Sequence, residues 1–183
     1  AIVPNVKAVL GAARAAGLHI VHTREGHPPD LSTLHDMRRL SSRRVGAEIG
    51  AAGPLGRNLV RGEHGHDFID ELQPVDGEVV IDKPGFSAFF KTDLEKILRE
   101  KGVTHTIVCG VTTECCVQSS IRSAIDLGFF VLTLEDCCAS YYKDMHDATM
   151  RMLPAQGGLF GFVGNSKDVV AALSAGGASN AAE

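Results

Sequence analysis

Long apolar runs are missing from this chain of 183 residues. None approaches the ~18 residues that a membrane-spanning helix needs, so no such helix is expected. No charged-then-apolar stretch of the signal-peptide kind opens it. A surplus of basic charge is missing too: 18 Lys and Arg stand against 22 Asp and Glu, a formal net charge of −4. That balance argues against a general nucleic-acid binder or a membrane-surface protein and leaves a small molecule as the expected partner. Aromatic residues make up only 5% of the chain, with no Trp. Few of them lie among Arg38, Arg39, Arg43, Arg44, Arg57 and Arg61 to stack on bases, so these arginines read as a solvated or subunit-contact loop. The five cysteines, Cys109, Cys115, Cys116, Cys137 and Cys138, are odd in number and include two adjacent pairs, which fits a disulfide framework poorly. No CxxC or His–Cys spacing marks a zinc site. The reducing cytoplasm is the expected compartment.

What is present is an alternation of helix-like and strand-like segments. Val6, Val9, Leu10 and Ala13 give an amphipathic period that stops at Gly17. Strands are expected at 18–21, 78–82, 106–109, 129–134 and, weakly, 158–163. Helices are expected at 92–101, 115–127, 143–153 and 167–173. A connection of Gly, Pro, Arg and His over about 24–66 is long enough to suggest a functional segment. Strands separated by helices of crossover length build right-handed βαβ units. The expected fold is a three-layer α/β/α sandwich with a mainly parallel, Rossmann-like sheet. Residues 1–183 read as a single domain, with 175–183 as a flexible tail.

In such sheets ligands bind beyond the carboxyl ends of the strands. Two reactive side chains fall there. Cys116 follows the run Thr106-Ile107-Val108-Cys109-Gly110 and opens a helix, where backbone N–H groups and the helix dipole favour a thiolate. Lys83 ends the run Glu78-Val79-Val80-Ile81-Asp82. Together they suggest an activated thiolate and covalent catalysis. The bland readings are a small buried cysteine and a surface lysine. Cys115 is the competing nucleophile. If the helix packs through Val117, Ser120, Ile121, Ala124 and Ile125, Cys116 sits at the leading edge of that face and Cys115 points about 100° away.

The segment Gly110-Val111-Thr112-Thr113-Glu114-Cys115-Cys116-Val117, followed by Ser120 and Ala124, resembles the nucleophile motif of the isochorismatase-like cysteine hydrolases. Lys83 before Phe86, Phe89 and Phe90, Glu71-Leu72-Gln73-Pro74, and Glu135-Asp136-Cys137-Cys138-Ala139-Ser140 also match family signatures. The likeness runs from about residue 4 to 173. It implies that Cys116 attacks a C–N carbonyl to form an acyl-enzyme and that Lys83 stabilises the thiolate. It also implies an oxyanion hole at the amides of Thr112 and Cys116, beside a cis peptide preceding Thr112. The family's third residue is an aspartate ending a first, central strand. No counterpart precedes Asn5, so an upstream strand ending in Asp is expected.

Within the family, Thr23-Arg24-Glu25-Gly26-His27 and Gln156 resemble the branch that cleaves biuret and other ureides. Arg24 is a candidate for a substrate carbonyl or carboxylate, Gln156 for a ureide carbonyl, and Phe89 for the substrate pocket. Gln156 reads equally as a helix-to-strand turn residue. Glu25 and His27 mimic part of a nicotinamidase metal site, but a polar loop is the simpler reading, and neither metal nor cofactor is expected. The expected activity is cysteine-dependent hydrolysis of a small linear amide or ureide, in a homodimer or homotetramer. Nicotinamidase, an isochorismatase-type hydrolase and a non-catalytic scaffold are the alternatives.

Overall fold

The computed structural model describes residues 1–180. In chain order the elements are α1 (Val3–Ala15), β1 (Val21–Glu25), α2 (Asp36–Arg44), the two-residue strands β2 (Ala52–Gly53) and β3 (Gly56–Arg57), β4 (Val79–Lys83), α3 (Leu94–Glu100) and β5 (His105–Val111). A π-helical turn, Thr113–Val117, then leads into α4 (Gln118–Asp126). β6 (Phe130–Ala139), α5 (Lys143–Met152), α6 (Ala155–Gly158), β7 (Phe162–Gly164) and α7 (Ser166–Asn180) complete the chain.

The ladders of the main strands are parallel. β1 pairs with β4 in the register Arg24↔Asp82 and Glu25↔Lys83. β6 lies between β5 and β7. Residues of β6 sort onto the two faces of the sheet, and the alternation changes phase where its register with β5 shifts between Thr133 and Cys138. Val131 and Cys138 join a core with Ile81, Leu98, Ile121, Ala124 and Leu153. Leu134 and Cys137 join Val9 and Val169, from α1 and α7, in a second core. Helices therefore cover both faces, and the architecture is the expected α/β sandwich. Among the described residues no ladder joins β1 to β5. Along β5 one row of side chains, including Ile107 and Val111, stays exposed.

Three local expectations are revised. β6 runs on to Ala139, because Cys137 and Cys138 are both buried and extend the ladder through Gly110↔Cys138. The segment expected as a tail from residue 175 is helical to Asn180, in α7; 181–183 lie outside the described residues. The long connection after β1 is tied down rather than solvated. Leu34, Ile49 and Val60 are buried in it, and Val60 bridges to His27.

Two imidazoles are buried with that connection, His27 at 0% and His66 at 5% exposure. Desolvation pushes both below the ordinary histidine pKa; nearby arginines push the same way, against Glu25 at His27 and Asp82 and Asp67 at His66. Such groups bind protons more readily when unfolded. Stability is therefore full above the unfolded value of about 6.5 and falls as pH drops below it. Glu78 adds a second, lower window. Its pairing with Arg14, with help from Val75 N–H and His22, holds its pKa at about 2. Its contribution is lost only between about 4.3 and that value. Urea midpoints measured across pH are expected to decline in these two steps. His66→Gln should flatten the upper step and leave the lower one; an unchanged upper step would refute the assignment.

Candidate active site

The carboxyl ends of β1 and β4 place Glu25 and Lys83 side by side. Lys83 is 3% exposed. Its Nζ donates to Gly85 O at 2.8 Å and stands 3.4 Å from Glu25 Oε2. The π-helical turn beyond β5 carries Cys116 to the same point, where its Sγ donates to the same Glu25 Oε2 at 3.4 Å. Arg38, from α2, donates through Nη2 to Glu25 Oε1. The Arg38 guanidinium carbon also lies 3.8 Å from the centre of the Phe86 ring. Beyond this stack opens a groove of about 630 Å³, lined by His35, Arg38, Phe86, Ser87, Phe89 and Ser123 among others. A thiol, a carboxylate and two cations thus converge at one edge of the sheet.

The sequence folds this way for local reasons. Val111–Thr112 is a cis peptide. The Thr112 carbonyl accepts the N–H groups of Cys115 at 3.1 Å and Val117 at 3.3 Å, which closes the turn. Ser120 follows Cys116 by one helical turn. Its hydroxyl donates to Cys116 O at 2.7 Å and accepts Ala88 N–H at 2.9 Å. Ser123 meets Ser87 Oγ at 2.8 Å. These two hydroxyls join the helix that carries the thiol to the loop that follows Lys83. Ala124, 2% exposed, adds no bulk at the helix–sheet contact. The spacing of Ser and Ala behind the cysteine is thereby explained by contacts.

The thiols divide sharply. Burial pushes Cys137 and Cys138 up to about 12. Cys115 is pushed up, chiefly because its thiol donates to Cys116. Cys116 is pulled down to about 7, first by that hydrogen bond from Cys115 and then by the charge of Lys83; burial and Glu25 oppose. A hydrogen bond to the charged form and an opposite charge are two of the three ways a protein shifts a pKa.

Other expected site residues are placed differently. Arg24 is not at the thiol: it neighbours Glu25 on β1, so it projects to the opposite face. There it bonds Asp82 at 2.6 Å and Asp67 at 2.9 Å, with its guanidinium over Phe68. Phe89 lines the groove but also stacks on Phe129, 6.0 Å between ring centres, as part of the core margin. Gln156 is exposed, with φ +53° in the turn before β7. Glu25 and His27 are engaged separately, for His27 Nδ1 is 2.8 Å from Thr33 Oγ1. The contacts of Glu25 and Arg38 with the thiol cluster were not anticipated. Arg38 gave no local signal, but strand alternation could have singled out Glu25 over Arg24.

Comparison with known proteins identifies the family. The chain is 35% identical over 143 residues to the ureidoacrylate amidohydrolase RutB of Yersinia enterocolitica, covering 74% of this chain and 60% of that protein. It is 30% identical over 181 residues to the protein of the same name from Rhizobium rhizogenes, covering 94% and 70%. The chain thus spans only 60 to 70% of the length of these two relatives. Among solved structures, a cysteine hydrolase from Pseudomonas syringae pv. phaseolicola superposes with a TM-score of 0.81 at 25% identity, covering 95% of this chain and 80% of that one. The family model described as the isochorismatase domain matches residues 1–161. The chain belongs to the isochorismatase family.

Proposed function

We propose that this chain is a cysteine amidohydrolase that cleaves a C–N bond of a small linear ureide. The observation that carries the reading is the meeting of the Cys116 thiol and the Lys83 ammonium on one oxygen of Glu25, each at 3.4 Å, at the carboxyl edge of the sheet, with the thiol pulled down to about 7. A thiol with that pKa is substantially ionised at neutral pH, and the thiolate is the nucleophile. In this reading Cys116 Sγ attacks the carbonyl carbon. The carbonyl π electrons move to oxygen, which the amides of Thr112 and Cys116 receive. Collapse expels the nitrogen and leaves a thioester, and water then releases the acid and restores the thiol. Lys83 holds the negative sulfur between turnovers. The ureide class is favoured by the names of the two relatives; biuret and ureidoacrylate are the substrates to compare. A homodimer or homotetramer in the cytoplasm remains our expectation for the assembled protein. Among the described residues no ladder joins β1 to β5, which supports our expectation that the family's additional strand pairs between them.

Ammonia release is the direct test. Purified chain is offered biuret, ureidoacrylate, nicotinamide and a simple carboxamide. Turnover of a ureide in preference to nicotinamide and the carboxamide is expected. Preference for nicotinamide would favour the alternative branch. Turnover of none would refute the amidohydrolase reading.

A further inference from the structure

Attack on a carbonyl carbon is fast only while the sulfur and the groups that receive the oxyanion keep one fixed spacing. In this chain they belong to one short π-helical turn, Thr113–Val117, and to Thr112 just before it. We propose that His146 is a positioning residue for this turn: through the Thr113 hydroxyl it fixes the Cys116 sulfur and amide against the Thr112 amide. This rests on the cysteine amidohydrolase reading above.

Two residues of the turn are buried, Thr113 and Val117, and they hold it at its two ends. Val117 joins the core that contains Ile121 and Leu153. Thr113 is 0% exposed, so its hydroxyl needs a partner inside the protein. That partner is His146 Nδ1, 2.9 Å away. Either neutral tautomer makes the contact: Nδ1–H donates to Thr113 Oγ1, or a bare Nδ1 accepts the hydroxyl proton. Glu114, Cys115 and Cys116 lie between the two anchors and are themselves only half-buried. Their placement therefore depends on the residues that flank them.

His146 comes from 33 residues further along the chain. The fold brings it back because the β5–β6 ladder runs to Val111↔Ala139, so the two strands end side by side. The π-helical turn follows one strand and α5 follows the other. His146, Thr149 and Met150 share one face of α5 at helical spacing, and Thr149 and Met150 are buried. The imidazole is thus carried inward by a packed helix. His146 N–H donates to Tyr142 O at 3.1 Å, so its backbone is already held within that helix. The adjacent carboxylate, Asp147, is taken by Lys143 at 2.6 Å. Without His146 the Thr113 hydroxyl would be left unpaired in the interior, and moving it to another partner would carry the turn with it.

Positioning is distinguished from general support of the fold by comparing two reactions of the same sulfur. Ureide hydrolysis needs the oxyanion groups. Alkylation by iodoacetamide does not, because the thiolate displaces iodide from a saturated carbon. Wild type, His146→Ala and Thr113→Val are compared in both. A misplacement of about 1 Å can cost about 100-fold, so kcat on the best ureide should fall about 10- to 100-fold in each variant. KM should stay within about twofold, as expected when the loss falls on the transition state. Cys116 should be alkylated at its wild-type rate. The double variant should be no slower than the slower single one, since both changes remove one contact. His146→Asn should recover most of the rate, because its amide group can stand where Nδ1 stands. Melting curves check the fold. If H146A melts below the assay temperature, T113V, which trades the hydroxyl for a methyl group, carries the same comparison. Undiminished ureide turnover in H146A and T113V would overturn the proposal. Equal losses of turnover and alkylation would also overturn it, for His146 would then only hold the fold together. Wild type inactive on every ureide and amide would sink the amidohydrolase reading, and this proposal with it. An active wild type with an equally active H146A would sink the role of His146 alone.

Discussion

Cys116→Ser is expected to lose ureide turnover by several orders of magnitude while keeping its fold. A serine hydroxyl cannot ionise as this thiol does, and loss of a nucleophile removes nearly all the covalent route. Cys115→Ser sharpens the contrast, because serine is close in size and still donates a hydrogen bond to the Cys116 sulfur. Its activity should stay near wild type. Cys115→Ala removes the donor, and its thiolate should form at higher pH, moving the rising limb of the pH–rate profile upward from about 7. Equal losses in Cys116→Ser and Cys115→Ser would reject the assignment.

Lys83→Met should produce the second large effect. Lys83 is buried, and its charge favours the Cys116 thiolate. An opposite charge at such range typically shifts a pKa by about one to three units. The Cys116 thiol in Lys83→Met should therefore titrate well above its wild-type value, read from thiolate absorbance. Turnover at neutral pH should fall with the thiolate fraction and recover partly in alkaline buffer. The methionine keeps the aliphatic stem packed but leaves Gly85 O without its 2.8 Å donor. Some loss of stability is expected from that, about 1–3 kcal/mol for a buried group left unpaired. Melting curves separate that loss from the chemical one. An unchanged thiol pKa would show that Lys83 acts only on Gly85 and Glu25.

Much of this site was legible in the residues. Lys83 ends an apolar run and Cys116 opens a helix, and both features are local. The hydroxyl of Ser120 and the smallness of Ala124 follow the cysteine at helical spacing. The rest depends on pairings that local pattern does not encode. Glu25 matters because β1 pairs with β4 in a register that sets it beside Lys83. Read alone, it resembled half of a metal site. Arg38 belonged to an arginine-rich stretch that looked solvated. In the fold, α2 turns that stretch back, so that Arg38 reaches Glu25 and covers Phe86. Arg24 was misplaced for the opposite reason: its guanidinium suggested a substrate contact, but alternation along β1 sends it to Asp82 and Asp67.

The parallel strands, by contrast, were readable from the spacing of apolar segments, although their limits shifted. β6 extends past its apolar start because both faces of Cys137-Cys138 are covered, which an isolated segment does not reveal.

The central claim is that Cys116 forms a thioester with the substrate. Acid quenching during steady turnover of a ureide, followed by peptide mass mapping, reads this directly. An acyl adduct on the peptide containing Cys115 and Cys116 is expected, located by fragmentation to Cys116 and lost as substrate is exhausted. Full turnover with no adduct at any quench time, or an adduct confined to Cys115, would contradict the account.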